Sequence, residues 1–319
     1  MKEAIVLFLK GAAMGAANVI PGVSGGTVAF ITGIYERLIE ALRSIDGRAL
    51  SLLVQGRLRE FSAKVDFPFL VALGLGVVVS ILTLAAVLEY LFAEHETFVW
   101  AFFFGLILAS IFFVGKRVKR WSAGPWVGFA IGAAIAIGVA LLKPAEENDS
   151  TWYLVLCGVI AMASMIIPGL SGSFVLLLLG NYRLVMIESV NGLKSLEASS
   201  IAVLLPVGVG AILGLVLLSR LLSWIFHTHH DVAVALLTGF VAGSLLIIWP
   251  WKEARIETFG AGEDLKEKVV GYDWFLPDIS PATGLALLIM LIGFVVVYFL
   301  ERFGVDRGVE PQPESDSRA

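Results

Sequence analysis

Residues 20–25 read Ile-Pro-Gly-Val-Ser-Gly, and residues 167–172 read Ile-Pro-Gly-Leu-Ser-Gly, so one motif occurs twice in the chain. Other residues recur in the same order. They are Gly33, Tyr35, Phe92, His95, Gly105 and Ser110 in the first copy and Gly180, Tyr182, Phe226, His229, Gly239 and Ser244 in the second, the last four pairs after a shift in loop length. The chain is therefore an internal repeat. We predict a first repeat at residues 1–143, a second at 144–305 and a disordered polar tail at 306–319.

The repeats lie in an unusually apolar chain. Of its 319 residues, 58% are hydrophobic and 16% are charged, against about 45–50% and about 25% in soluble domains. Each stretch free of Asp, Glu, Lys and Arg could cross a hydrocarbon core of about 30 Å as a helix. These stretches are residues 11–35, 67–88, 97–115, 121–142, 151–182, 198–219, 232–251 and 279–300. The composition predicts an all-α integral membrane protein.

Charge and cysteine content exclude several other classes. The formal net charge is −4, and the aromatic residues lie in apolar runs instead of alternating with Lys and Arg, so the sequence predicts no nucleic-acid partner. The single cysteine, Cys157, excludes an intrachain disulfide and a Cys-based metal site. We expect no metal and no cofactor, and leave ion or proton coupling open. The sequence is compatible with a homo-oligomer but does not decide the oligomeric state.

The Pro-Gly pairs interrupt the first and fifth apolar stretches near their middles, where proline removes a backbone donor and glycine relaxes the backbone. Two topologies follow. In one, two inverted repeats each contain a re-entrant broken-helix hairpin plus three transmembrane helices. In the alternative, all eight stretches span fully and the first and fifth are kinked at proline. The Lys and Arg distribution fits both equally, and both place residues 37–64 and 116–120 in the cytoplasm.

Interrupted apolar segments at corresponding positions of two halves are typical of transporters with a site at the membrane midplane, and they favour the inverted topology. That topology places both termini in the cytoplasm. Small residues after each break leave backbone N–H groups accessible at a helix start, and hydroxyl groups stand beside them, a combination that favours phosphate and other anions. The residues are Ser24, Gly25, Gly26 and Thr27 in the first copy and Ser171, Gly172 and Ser173 in the second. The competing interpretation is that the glycines only allow close helix packing.

Polar and charged residues near the breaks are further candidates. Asn18 could cap the arm before the first break or donate to a ligand. Lys10, Arg37 and Arg183 flank the broken segments and could attract an anionic headgroup, although interfacial Lys and Arg commonly extend toward water for structural reasons alone. Glu36 and Glu89 are candidates for proton coupling, against the simpler interpretation that both lie at a wet boundary. His227, His229 and His230 resemble a metal cluster but are better explained by an exposed loop.

Residues 17–27 with Gly33-Ile34-Tyr35-Glu36, and residues 167–174 with Gly180-Asn181-Tyr182, resemble the prokaryotic PopT-like polyprenyl-phosphate transporter family. The resemblance implies a plasma-membrane transporter, not an enzyme. It would return undecaprenyl phosphate from the outer to the cytoplasmic leaflet for reuse in cell-wall glycan synthesis. The signature positions fall on Asn18, Pro21, Gly22, Ser24, Gly25, Gly26, Thr27, Pro168, Gly169, Ser171, Gly172 and Ser173. The second copy departs at Met165, Ser173 and Phe174, which replace Asn18, Gly26 and Thr27.

Two alternative functions share parts of this chemistry. Membrane undecaprenyl-pyrophosphate phosphatases of the BacA type also carry a PGxS motif on re-entrant segments. In this chain Gly25 and Gly172 stand where that family has a catalytic arginine, so developing charge on phosphorus would be poorly stabilised. A small-anion transporter could use the same helix ends. In all three cases the protein must replace the water around an anion with N–H, hydroxyl or cationic partners.

Overall fold

The structure, a computed structural model, describes residues 2–19, 24–189, 198–259 and 266–304. Most of these residues are helical. The helices are α1 (Lys2–Val19), α2 (Gly25–Ile31), α3 (Tyr35–Arg43), α4 (Gly47–Val54), α5 (Leu58–Lys64), α6 (Phe67–Gly115), α7 (Ala123–Leu141), α8 (Thr151–Ile166), α9 (Gly172–Leu178), α10 (Ala198–Thr228), α11 (His230–Ser244) and α12 (Pro281–Gly304), with a π-helical segment at Arg183–Ser189. The predicted tail at 306–319 lies outside the described residues.

Four segments are long and apolar enough to cross a membrane: Tyr90–Gly115 within α6, α7, α10, and Pro281–Phe299 within α12. A fifth is added if α5 and Phe67–Thr83, which meet at a bend of 71°, count as one span. Helices α8 and α11 are apolar but shorter. These helices agree with the predicted helical membrane protein, while the number of crossings stays a prediction.

A β-hairpin, which the sequence analysis did not predict, joins α11 to α12. Strands β1 (Lys252–Phe259) and β2 (Lys266–Trp274) pair in antiparallel fashion. Arg255 Nε donates to Asp273 Oδ2 across the pair at 2.8 Å. The hairpin was missed because the spans were sought in uncharged runs, whereas this segment alternates charged and apolar residues.

Helix α6 is two helices joined at one irregular residue. His95 has φ −140° and ψ 36°, which interrupts the helical backbone, so we call residues 67–94 α6a and residues 96–115 α6b. The equivalent residue of the second copy, His229, has φ −143° and ψ 59° and separates α10 from α11. The weaker correspondence seen in the sequence therefore marks the same backbone break in both copies.

Glycines bring the backbones of equivalent helix pairs together. Gly11 of α1 faces the Leu73 carbonyl of α6a, and at the equivalent place Gly158 of α8 faces the Val207 carbonyl of α10. A Cβ atom at either glycine would overlap the facing oxygen. The pairs α1–α6a and α8–α10 therefore pack backbone to backbone, as small residues permit in membranes.

The same relation holds for two pairs that combine helices from both halves. Gly105 of α6b faces the Met290 carbonyl of α12, and Gly239 of α11 faces the Phe129 carbonyl of α7. A Cβ atom at either glycine would again overlap the carbonyl. The third helix of each half is thus packed against the second helix of the other half.

Each broken segment folds back on itself. Lys10 Nζ, midway along α1, donates to the Thr32 carbonyl just after α2 at 2.8 Å, which is within reach only if α2 runs back along α1. In the second copy, the Tyr153 hydroxyl near the start of α8 donates to the Leu179 carbonyl after α9 at 2.8 Å. The Ala145 N–H also donates to the Leu178 carbonyl at 2.8 Å. Helix α9 therefore returns toward the start of α8.

The open ends of the two hairpins lie at opposite ends of α7. Glu36, at the first open end, contacts His230 at 3.1 Å, and the neighbouring Asp231 accepts from the N–H groups of Lys119 and Arg120, just before α7. The second open end includes Ala145, which follows α7. Because α7 has 19 residues, these ends are separated by about 28 Å along its axis.

Candidate functional site

The tips of the two hairpins, residues 24–27 and 165–173, contact each other. The Gly169 N–H donates to Thr27 Oγ1 at 2.8 Å, and Ser24 Oγ donates to the Met165 carbonyl at 3.4 Å. Beside them, the Tyr35 hydroxyl donates to the Ile166 carbonyl at 3.1 Å. Thr27 and Ser24 are 1% and 3% exposed. The fold therefore brings the two copies of the motif together, although 142 residues separate Thr27 from Gly169.

In the first copy, the N–H groups that begin α2 already have partners. The Gly25 N–H donates to Asn18 Oδ1 at 2.8 Å, and the Gly26 N–H donates to Ser24 Oγ at 3.1 Å. The Thr27 N–H donates to the Ser24 carbonyl at 2.9 Å. Asn18 was expected to cap the arm before the break or to donate to a ligand, and the structure shows instead that its side-chain oxygen accepts from the N–H that begins the arm after the break. This helix start is satisfied from within the protein.

The second copy is organised differently. Ser171 precedes α9 without making a side-chain capping bond, and its hydroxyl lies 2.9 Å from that of Ser173. Ser173 is exposed and Ser171 is half-buried. The side chain of Met165, which replaces Asn18, packs against Gly172. The second copy therefore presents two hydroxyl groups and a helix start that the adjacent side chains do not cap.

The Pro-Gly turn of the second copy packs against α11. Pro168 and Gly169 are buried, and Gly169 has φ +86°, a left-handed conformation that glycine adopts readily. A Cβ atom at Gly169 would lie 2.7 Å from the Phe240 carbonyl. The backbone conformation and the close approach of Phe240 therefore both require glycine at position 169. Pro21 and Gly22, the matching pair of the first copy, lie outside the described residues.

The three basic candidates have partners away from the tips. Lys10 bonds the Thr32 carbonyl beyond the far end of α2. Arg37 pairs with Asp66 at 2.7 Å and with Glu3 at 2.9 Å. Arg183 pairs with Glu188 at 2.7 Å.

Arg117 is a basic residue that the sequence analysis did not single out. Its Nη2 donates to the Ile31 carbonyl at 3.3 Å, so Arg117 and Lys10 both lie at the C-terminal end of α2. Cations are favourable at that pole of a helix. The only signal in the sequence was the basic cluster at 116–120, which had served to orient the chain in the membrane.

Two of the three histidines, His227 and His230, contact acidic residues at the open end of the first hairpin. Glu36 contacts His230, while Glu40 accepts from Ser223 and lies 3.8 Å from His227. His227 lies in α10 and His230 in α11, so these histidines belong to helices and not to the loop expected from sequence. The side chain of Glu89 lies outside the described part of the chain.

Comparison with known proteins assigns the chain to a family. Residues 14–263 match the family described as undecaprenyl phosphate translocase-like. A polyprenyl-phosphate transporter of Vibrio cholerae is 36% identical over 301 residues, covering 93% of this chain and 96% of the relative. A polyprenyl-phosphate transporter of Staphylococcus aureus is 28% identical over 307 residues, covering 92% and 95%. No solved structure matches significantly. The resemblance read from the duplicated motif is confirmed, and the chain belongs to the undecaprenyl phosphate translocase-like family.

Proposed function

We propose that this chain is a polyprenyl-phosphate transporter that carries undecaprenyl phosphate from the outer to the cytoplasmic leaflet of the prokaryotic plasma membrane. Family membership and two transporter relatives that match it over nearly their whole length support the substrate class. The observation that carries the mechanism is the contact between the tips, where Gly169 bonds Thr27. It gathers polar groups from both halves at one place in a largely apolar protein.

The proposed topology has six crossing segments, α6a, α6b, α7, α10, α11 and α12, and two re-entrant hairpins that enter from opposite faces. It is supported by the reversal of both broken segments, by their open ends at opposite ends of α7 and by the meeting of their tips. The basic residues at 37–64 and 116–120 would place the first open end and both termini in the cytoplasm. The tips would then lie near the membrane midplane.

At that depth a phosphate needs polar partners, because desolvating an ionised group without compensation is costly. The hydroxyl groups of Ser171, which is half-buried, and Ser173, which is exposed, are the first partners in this proposal. Ser24 and Thr27 hold the tips together, so their hydroxyl groups become available to the headgroup only as the tips separate. Lys10 and Arg117 would then attract the anion toward the cytoplasmic side, while the prenyl chain stays in lipid.

Reconstitution tests the proposal directly. The full chain is placed in vesicles with labelled undecaprenyl phosphate in one leaflet, and its appearance in the other leaflet is followed. The variant S171A/S173A should lower the initial rate about tenfold or more, because a hydrogen bond to a charged group contributes about 1.5–3 kcal/mol. The matched control is S122A, since Ser122 is exposed before α7 and makes no side-chain capping bond.

Two outcomes would contradict the proposal. One is a wild-type protein that moves no labelled lipid. The other is wild-type rates in S171A/S173A, which would place the headgroup elsewhere. Parallel measurements separate the alternative functions: we expect no phosphate release from undecaprenyl pyrophosphate, and little competition from soluble inorganic phosphate.

A further inference from the structure

Helices α4 and α5 lie in the chain between the first hairpin and α6. They carry an exposed apolar surface that is separate from the site at the hairpin tips. In α4, Ala49 and Leu52 are buried against the protein. Leu50, Leu53 and Val54 lie on another side of this helix and are 62%, 44% and 81% exposed. Their spacing of three and four residues places them on one face. Together with Leu58, 61% exposed at the start of α5, they form what we call the α4–α5 strip.

The charges around the strip do not balance. Lys64 pairs with Asp46 at 3.0 Å, and Arg57 pairs with Glu60 at 2.6 Å. Asp66 is engaged by Arg37. The remaining basic residues, Arg48 and Arg59, are exposed, and their side chains have no partner among the described residues. The α4–α5 segment therefore carries two uncompensated guanidinium groups close in sequence to its unpartnered apolar strip.

The orientation of α5 fits a membrane surface. Helix α5 meets the first part of α6 at a bend of 71°. Because α6a is apolar and carries exposed large side chains, such as Val71 and Leu75, it is suited to the bilayer interior. A helix at 71° to it then lies nearly parallel to the membrane plane. The rings of Phe61 and Phe67 lie 6.1 Å apart across the bend, so apolar packing continues from α6 to α5.

We propose that α4 and α5 lie in the headgroup region of an anionic phospholipid leaflet, with the α4–α5 strip inserted and Arg48 and Arg59 against lipid phosphates. A helical segment with an exposed apolar face and exposed, unpaired arginines is suited to such lipids. Neutral lipid would bury the apolar strip but would not neutralise the two arginines, whereas anionic lipid would do both. The inference does not depend on which lipid the tips carry.

The test places an environment-sensitive fluorophore on the strip. Full-length V54C is made in a C157A background, so that the label has one attachment site, and is reconstituted into phosphatidylcholine vesicles with or without phosphatidylglycerol. We expect blue-shifted emission and quenching by nitroxide lipids, about twofold stronger in the anionic vesicles. The matched control is A63C, which is exposed on another side of α5 and should show emission closer to that in water. Adding R48Q/R59Q to V54C should remove the difference between the two vesicle types.

Three results would overturn the inference. The first is water-like emission from V54C in both vesicle types, which would place the strip in solvent. The second is blue-shifted emission without quenching by lipid, which would mean that protein, such as a second copy, covers the strip. The third is equal quenching in neutral and anionic vesicles. Lipid transport by the same labelled protein is measured separately, so failure here is distinguishable from failure of the transport proposal.

Discussion

The backbone N–H of Gly169 donates a 2.8 Å hydrogen bond to the side-chain oxygen of Thr27. Each residue belongs to a different copy of the motif, and both are buried. Thr27 aligns with Phe174 in the second copy, so the bond cannot have a symmetric counterpart at that position. This single hydrogen bond therefore links the two hairpins without an equivalent on the other side of the repeat.

Replacing Thr27 with valine should weaken the contact between the two hairpins. Valine has nearly the same shape but no acceptor, so the buried N–H of Gly169 loses its partner at a cost of about 1–3 kcal/mol. We expect a lower melting temperature of the purified protein and altered lipid transport. T27S keeps the hydroxyl and should retain more stability and activity than T27V. Identical melting of T27V and wild type would show that the bond contributes nothing to stability.

The glycines at the helix crossings offer a matched set of four variants. G105A and G239A place a methyl group against a facing carbonyl, at Met290 and Phe129 respectively. We expect each to cost about 1–3 kcal/mol or more, because the two backbones must move apart.

The controls for these glycines are G74A in α6a and G208A in α10, another equivalent pair, where an added Cβ meets nothing within 4 Å. They should be neutral or stabilise by about 0.5–1 kcal/mol through helix propensity. Yield of monodisperse protein and its melting temperature are the measurements. Similar yields and melting temperatures for all four variants would contradict the close backbone contacts described at Gly105 and Gly239.

Lys252 predicts a dependence of stability on pH. Its ammonium lies 3.6 Å from the centre of the Trp100 ring and donates to the Ile247 carbonyl. Burial lowers its pKa from 10.5 to about 7, opposed by the charge of Glu96. Between those pH values the unfolded chain binds more protons than the folded one, so stability should rise with pH.

The contribution of Lys252 to that rise is on the order of 5 kcal/mol. K252M should lose most of it, as measured by melting at pH 7 and pH 10. The control is K116M, since Lys116 is an exposed residue whose ammonium also contacts an aromatic ring, that of Phe112. The same pH dependence in K252M as in wild type would show that the lysine is not buried as described.

Arg37 should act on stability and not on substrate binding. It pairs with Glu3 and Asp66 and lies 4.5 Å from the centre of the Phe69 ring. R37Q should lower stability by about 1 kcal/mol, less at high salt, because these pairs are largely exposed. The KM for lipid should stay unchanged. If R37Q instead raised the KM for lipid and left the melting temperature unchanged, Arg37 would have to bind the substrate.

Local signals in the sequence predicted the features that depend on local chemistry. The Pro-Gly breaks required only the residue types, because proline and glycine act on the adjacent backbone. The recurrence of His95 as His229 and of Gly105 as Gly239 was visible in the sequence, but neither the break at the histidines nor the close crossing at the glycines was predicted from it. The structure places His95 and His229 at equivalent backbone breaks and Gly105 and Gly239 at equivalent helix crossings.

The partners of the polar residues could not be predicted in this way. Lys10 reaches Thr32 only because the segment reverses, and Thr27 meets Gly169 only because the two hairpins meet. Both contacts depend on tertiary folding, which spacing does not encode. For the same reason the sequence could not say that Asn18, which lies in α1, bonds the first N–H group of α2.

The backbone contacts at Gly105 and Gly239 have a mechanical consequence. They fasten α6b to α12 and α7 to α11, so helices from different halves of the sequence are joined more closely than side-chain packing alone would allow. In a conformational change that kept these contacts, the two helices of each pair would move together as a rigid body. Each rigid body that moves during a transport cycle would then contain one helix from each half of the sequence. The boundary between the moving bodies would therefore not coincide with the boundary between the two sequence repeats.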